Sequence, residues 1–263
     1  MQHSALLNVM IAAARKASRT LKRDFGEVEN LQVSLKGPGN FVTAADRKAE
    51  ETLKAELAKA RPGYSFLGEE SGTTAGTDTS HTWIVDPLDG TTNFLHGIPQ
   101  FAISIGLERA GTIVAGVIYN PISDELFVAE RGKGAFLNDR RLRVAARKQL
   151  SDSVIACGLP HLGRGDLDLG LRELSAIQDK VAGLRRFGAA ALDMAFVAAG
   201  RLDGYWERNI SPWDIAAGII ILREAGGFVT DIDGADAMFT KKHVVAGNET
   251  IQRELQRLLK AAG

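Results

Sequence analysis

Residues 101–144 read FAISIGLERAGTIVAGVIYNPISDELFVAERGKGAFLNDRRLRV. Short apolar runs alternate with RAG, NP, RGKG and ND, and each interruption is a turn signal. Runs of this length and spacing are satisfied by consecutive strands joined through tight connections, so the segment predicts an antiparallel meander. Such a sheet must cover a face, and the flanking sequence supplies helices to do so. Leu6, Leu7, Met10, Ile11 and Ala14 recur at helical spacing within a segment running from about Ser4 to Phe25. A second helix is predicted from Thr43 to about Ala60, where RPG stops it before a short strand around YSFLGEE. SGTTAGTDTSHT then reads as a polar loop, and TWIV as a buried strand.

From about Leu150 the texture changes. SVIACGL is a strand, DLDLGLRELSAIQDKV a helix, GLRRFG a strand or turn, and AALDMAFVAAG another helix, an α/β alternation. LDGYWER returns as a strand, SPWDIAAGIIILREAGG is a helix closed by paired glycines, and FVTDIDG and HVVAG are short strands before a final helix. The 263 residues therefore divide into an α+β half, 1–148, and an α/β half, 149–263. No repeat, low-complexity tract or linker separates them, which predicts one compact unit.

Lys and Arg total 32 and Asp and Glu total 32, so no global field points to a nucleic acid or a membrane, and any charged function is local. The lone Cys157 cannot form an internal disulfide and reads as a small core residue in a reducing compartment. The apolar N-terminal stretch is too short to span a bilayer and carries its positive charges after the apolar part, opposite to a secretory signal. The expectation is a soluble, cytoplasmic chain.

The strand TWIV continues into WIVDPLDGTTNFLHG, which places Asp86 and Asp89 around Pro87 and Leu88 and follows them with Gly90, Thr91 and Thr92. LDG is also ordinary turn chemistry, and an aspartate at a strand end often only caps neighbouring amides. A second apolar run, however, ends in Glu69 and Glu70, and strand ends of this kind can converge in one cleft. Converging carboxylates repel unless a cation neutralises them. Oxygen donors favour a hard ion such as Mg²⁺ over zinc, and the five histidines (His3, His81, His96, His161, His243) are scattered rather than spaced as a ligand set. Free amides at a helical turn beginning near Gly90 form an anion site, so the combination points to a cation-bridged phosphate. Asp214, at the start of an apolar helix, reads by itself first as an N-terminal cap, and Asp46 in TAAD fits a capping box. Capping and metal binding are compatible, because a carboxylate has two oxygens.

GEES, WIVDPLDGTTNFLHG and PWDIAAGIIILREAGG resemble the signature regions of the inositol monophosphatase family, Mg²⁺-dependent and lithium-sensitive phosphatases. The similarity extends from LKGPGNFVTAADRKAE through RRFGAAALDMAFVAAGRLDGYWE and is greatest to the family's bacterial extragenic-suppressor branch. The resemblance implies a layered α/β/α/β/α sandwich of the sugar-phosphatase type, with an antiparallel N-terminal sheet and a mixed C-terminal sheet. It also implies about two to three Mg²⁺ ions per site. Glu69, Asp86 and the Leu88 carbonyl would hold one, Asp86, Asp89 and Asp214 a second, and Glu69 with Asp46 a weaker third. Thr91 with Glu69 would orient the attacking water, and the amides of Gly90 and Thr91 would hold the phosphate. Asp89, Gly188, Ala190, Glu207 and Asp214 would meet the alcohol part of the substrate. Ala189 stands where the family often has threonine, which removes one hydroxyl. The implied reaction is hydrolysis of inositol-1-phosphate or a related polyol or sugar phosphate by direct attack of metal-activated water. The implied assembly is a homodimer, for which LRRFGAAALDMAFVAAG offers small, closely packing residues.

Enzymes accelerate phosphate monoester hydrolysis by up to roughly 10²¹-fold, and one general base supplies only about 10²- to 10⁴-fold, which favours paired cations over a lone carboxylate. Phosphatases with an aspartyl nucleophile place their two aspartates two apart, whereas Asp86 and Asp89 stand three apart. A Gly-x-x-x-x-Gly-Lys-[Ser/Thr] phosphate loop is absent from the sequence. The rival from another class is a factor acting on RNA synthesis or ribosome assembly by binding RNA or the transcription machinery. Its candidate surface is the basic run Arg131, Lys133, Arg140, Arg141, Arg143, Arg147 and Lys148, which also reads as a solvated hairpin and loop.

Overall fold

The computed structural model describes residues 3–27, 33–35, 41–161, 163 and 165–263, with the backbone alone at 33–35 and 41–43. Positions 36–40 of LKGPGNFVTAADRKAE, and the Thr43 side chain of the proposed TAAD capping box, lie outside the described residues. Helix α1 (Ala5–Phe25) starts where the Ser4 hydroxyl accepts the Leu7 amide at 3.2 Å. It buries Leu7, Met10, Ile11 and Ala14 of the predicted stripe, leaves Leu6 half-buried, and continues the stripe through Ala17 and Leu21. Strands β1 (Val33–Leu35) and β2 (Phe41–Thr43) form an antiparallel pair leading into α2 (Ala44–Ala60), which packs on α1.

The first sheet contains β3 (Tyr64–Gly68), β4 (Gly72–Thr74) and β5 (Asp78–Asp89), then, beyond the short helix α3 (Thr91–Leu95), β6 (Ala102–Arg109) and β7 (Thr112–Asn120). It is completed by β8 (Glu125–Glu130), β9 (Gly134–Leu137) and β10 (Arg140–Arg141), in the order β10-β9-β8-β7-β6-β5-β3-β4. The meander from β6 to β10 is antiparallel throughout, as its turn signals predict, and β5 adds to it antiparallel to β6. The one departure is a parallel pair, β3 with β5. Strand β4 runs back along the outer edge of β3, and the chain re-enters on the other side. Part of SGTTAGTDTSHT is therefore strand rather than loop. Its polar side chains are exposed, so apolar alternation could not reveal backbone pairing.

The second sheet is mixed, as expected. It contains β11 (Val154–Cys157), β12 (Gly183–Arg185) after helix α4 (Leu167–Gln178), and β13 (Gly204–Arg208) after helix α5 (Ala190–Ala198). Helix α6 (Pro212–Glu224) leads to β14 (Phe228–Thr230), and the short α7 (Met238–Lys241) to β15 (His243–Gly247), before α8 (Glu249–Ala262) ends the chain. The strand order is β12-β11-β13-β15-β14. Helices α1 and α2 cover one face of the first sheet, α5 and α6 lie between the sheets, and α4 and α8 cover the far side. Five layers result, α/β/α/β/α. The middle helices are apolar on nearly every side because both of their faces are buried, and their core includes Ile84, Ala102 and Ile118 from the first sheet. The small residues of AALDMAFVAAG pack against α6 within the chain. Arg185, Arg186 and Gly188, earlier in the same segment, are exposed.

Candidate active site

Side chains alternate along a strand, so Asp86 and Asp89, three apart, should face opposite sides of β5. They do not, because the register shifts between them: Asp86 pairs with Ser104 and Asp89 with Ala102, two residues apart on β6. One extra residue on β5 forms a bulge, at the position of Pro87, which has no amide to give to a ladder. The bulge turns both carboxylates to one side. Asp86 Oδ1 accepts the Leu88 amide at 2.8 Å, which tightens the turn.

Gly90 follows at φ 92, the left-handed region, and a side chain there would come within 2.8 Å of the Gln100 carbonyl oxygen. It starts α3, whose first residue, Thr91, has its hydroxyl 3.0 Å from the Leu88 carbonyl oxygen and 3.5 Å from Asp46 Oδ2. Asp46 lies in the first turn of α2, where negative charge is favoured. Its carboxylate, with those of Glu69 and Glu70 beyond the end of β3, forms a group whose oxygens lie within 4.8 Å of one another.

The second half closes the site. Asp89 Oδ1 accepts the Ala190 amide at 3.2 Å and Oδ2 the Ala191 amide at 2.7 Å, so a carboxylate from the first sheet caps helix α5 of the middle layer. Ala189 is buried beside Gly90, and Gly188 is exposed at the rim. Asp214 does act in capping, though not as the cap itself: Ser211 is the N-cap, Pro212 the first residue, and Asp214 Oδ2 accepts the Ser211 amide at 2.8 Å. Glu207, at the end of β13, accepts the Tyr205 hydroxyl.

The electrostatics follow from this crowding. Burial pushes the Asp86 carboxyl well above its usual range, and Glu69, Asp89, Asp214 and Asp46 push it further. Burial also raises Asp89, opposed by the Ala191 amide and reinforced by Asp193, Glu207 and Glu69. Asp214 is raised by burial and then by Asp89 and Glu69, against the Ser211 amide. Glu207 is raised by burial against the Tyr205 hydrogen bond and the nearby Arg186 charge. Asp46, Glu69, Asp86, Asp89, Thr91, Glu207 and Asp214 thus converge, and a cavity of about 340 Å³ opens among Glu69, Glu207 and Asp214.

Three contributors escaped the sequence reading. Asp193, buried in α5, adds negative charge behind Glu207. It looked like one polar residue in an apolar helix, and that lone charge was the available signal. Asn93 in α3 donates from Nδ2 to the carbonyls of Gln100 (2.7 Å) and Phe187 (2.8 Å), tying the short helix after Gly90 to the segment before Gly188. Glu50, one helical turn beyond Asp46, is also buried. The donors offered by Glu69, Asp86, the Leu88 carbonyl, Asp89 and Asp214 are all oxygen, the carboxyls of Asp86, Asp89 and Asp214 are raised by burial and then by neighbouring carboxylates, and no lysine or arginine pairs with these three among the described residues. That donor set fits a hard divalent cation.

Two sheets with an acidic cleft at the junction of their halves define the architecture of a layered α/β phosphatase. The model of the inositol monophosphatase family matches residues 2–262, and the chain belongs to that family of phosphatases. An inositol-1-monophosphatase from Mesorhizobium japonicum is 65% identical over 260 residues, covering 99% of this chain and 98% of that protein. The Nus factor SuhB of Pseudomonas aeruginosa is 42% identical over 247 residues, covering 92% of this chain and 91% of that protein. The crystal structure of the extragenic suppressor protein SuhB from Bartonella henselae superposes with a TM-score of 0.95 at 62% identity, covering 98% of this chain and 99% of that one.

Proposed function

We propose that this chain is a Mg²⁺-dependent phosphomonoesterase acting on inositol-1-phosphate or a related polyol or sugar phosphate. The observation that carries the reading is the gathering of Glu69, Asp86, Asp89 and Asp214, from three separate stretches of chain, into one mutually repelling group. Glu69, Asp86 and the Leu88 carbonyl would hold one cation, Asp86, Asp89 and Asp214 another, and Glu69 and Asp46 a weaker third. Such ions supply Lewis-acid stabilisation of charge on the phosphoryl and leaving oxygens and acidify water. The chain's own groups do the positioning. The Thr91 hydroxyl, close to both the Leu88 carbonyl and Asp46, orients water with Glu69 and leads its proton towards Asp46. The Gly90 and Thr91 amides hold phosphate oxygens, while Glu207, fixed by Tyr205, accepts from a polyol hydroxyl on the side of Gly188 and Ala190.

Phosphate release across a panel of esters, with and without chelator, tests the reading. Chelation should abolish turnover and Mg²⁺ restore it, with inositol-1-phosphate among the best substrates; full turnover in cation-free protein would overturn it. Lithium inhibition, a homodimer by light scattering and a cytoplasmic setting belong to the same reading. No described helix is long and apolar enough to cross a membrane. A second reading, a factor that binds RNA or the transcription machinery, draws on the relatives named Nus factor and on the basic run. Arg131, Lys133, Arg140, Arg141, Arg143, Arg147 and Lys148 are all exposed. Lys133 pairs with Glu130 and Arg147 with Asp203, so the three arginines at 140–143 best represent a docking surface.

A further inference from the structure

Glu50 belongs to no step above, yet it is among the few buried acidic side chains with both oxygens occupied. Its Oε2 accepts the Glu70 amide at 2.8 Å and its Oε1 the Ser71 amide at 2.7 Å. These are consecutive amides in the turn between β3 and β4, the turn that presents Glu69 and Glu70. On the other side, the Glu69 amide donates to the Val85 carbonyl at 3.2 Å, immediately before Asp86. The turn is therefore clamped between β5 and a side chain of α2.

The opposite face of the clamp is equally specific. A side chain at Gly68 would place its Cβ 2.5 Å from Glu50 Oε2, so the end of β3 reaches the carboxylate only because that position is bare. Asp46 and Glu50 stand four apart on α2 and share a face. Between them Arg47 Nε lies 3.6 Å from Glu70 Oε2. One helix thus supplies Asp46 to the carboxylate group and, a turn later, holds the backbone of Glu70 and Ser71, directly after Glu69.

We infer that Glu50 is a positioning residue: by holding the 69–71 turn against α2 it sets the spacing of Glu69 and Glu70 from Asp46, and through that spacing the cation affinity of the cluster. This inference rests on the functional reading above. Partners that orient ligands change metal affinity or activity by about ten- to a hundred-fold when removed.

Glu50→Gln supplies the test. Glutamine has the same shape but one acceptor instead of two, and its NH₂ faces an amide that also donates. Mg²⁺ and Mn²⁺ binding is measured directly by titration calorimetry on full-length protein, alongside turnover as a function of Mg²⁺ and the thermal midpoint. The expected result is weaker cation binding, by about ten-fold or more, and a higher Mg²⁺ concentration for half-maximal turnover, with turnover at saturating Mg²⁺ recovered to near the wild-type value. Unchanged cation affinity beside a lowered thermal midpoint assigns Glu50 to stability alone and overturns the inference while leaving the functional reading intact. Wild-type protein that binds neither ion removes both. Should Glu50→Gln fail to fold, Gly68→Ala, which displaces the Glu50 carboxylate without removing it, serves instead; wild-type cation affinity in a folded Gly68→Ala protein also overturns the inference.

Discussion

Two sets of buried or half-buried acids in this molecule have opposite surroundings. Asp203, immediately before β13, is matched by Arg147 Nε at 2.7 Å and by the Val154 amide at 2.9 Å. Glu173 in α4 is matched by Arg208 Nε at 2.6 Å. Asp86, Asp89 and Asp214 instead face one another and accept hydrogen bonds from backbone amides. Burying a charge without a counter-charge is costly, and a fold that meets its needs with arginine elsewhere could have done so here. The difference separates acids whose partner is built into the chain from acids whose partner must come from outside.

The sharpest way to break that comparison is to remove one charge from each set. Asp86→Asn keeps an oxygen for the Leu88 amide and relieves repulsion, so cation-free protein should melt no lower than wild type. Phosphate release should nevertheless fall by about 10²- to 10³-fold, the scale of losing one preorganised electrostatic contact. Arg147→Met leaves Asp203 buried without its arginine. Removing one partner of a buried pair costs about 3–5 kcal/mol, and because Arg147 is 45% exposed the expected loss is nearer about 2 kcal/mol. Turnover per folded molecule should stay at the wild-type level. Denaturant unfolding and steady-state rates on both variants decide; if Asp86→Asn is the one that loses stability while keeping its rate, the distinction fails.

Acidity sharpens the same contrast. The folded-state values of Asp86, Asp89 and Asp214 are raised, so the folded, cation-free protein binds more protons than the unfolded chain. Their contribution to stability is complete below the unfolded value of about 3.9 and is lost as pH rises through the raised values. Cation-free protein should therefore melt at lower temperature near pH 8 than near pH 5. Mg²⁺ should stabilise more at the higher pH, by about 2.7 kcal/mol at a hundred-fold excess over its dissociation constant. Thermal scans with and without Mg²⁺ measure this; a cation effect independent of pH would mean that these carboxyls are not its binding groups.

The comparison also shows where the sequence was legible. Local chemistry was: the meander, the amphipathic α1, the WIVDPLDGTT strand end and the SPWD helix start all lie within a few residues of their cause. The bulge at Asp86–Asp89 depends on pairing with β6, and the parallel placement of β3 beside β5 depends on which edge β4 occupies. Neither is written in a local period. Glu50 sits in ADRKAEETLKAELAKA among acids and bases that mostly face solvent, and nothing local distinguishes the one that is buried. The family signatures carried the cluster across that gap, since they name residues whose convergence only the fold explains.

The smallest expected effect comes from a third set of charges, which lies outside both buried classes. Arg140, Arg141 and Arg143 are exposed, and Arg141 rests 5.9 Å over the Phe136 ring, a contact worth about 0.5–1 kcal/mol at an exposed site. None of the three enters a salt bridge among the described residues, and none lines the cavity beside Glu69 and Asp214. Changing all three to alanine should leave turnover within about two-fold and stability within about 1 kcal/mol of wild type. In a strain lacking its own copy, this variant should replace the wild-type gene and Asp86→Asn should not, if hydrolysis is what the cell requires. The reverse pattern, with normal phosphate release in the triple variant but no complementation, would move the cellular role from the acidic cleft to the basic edge.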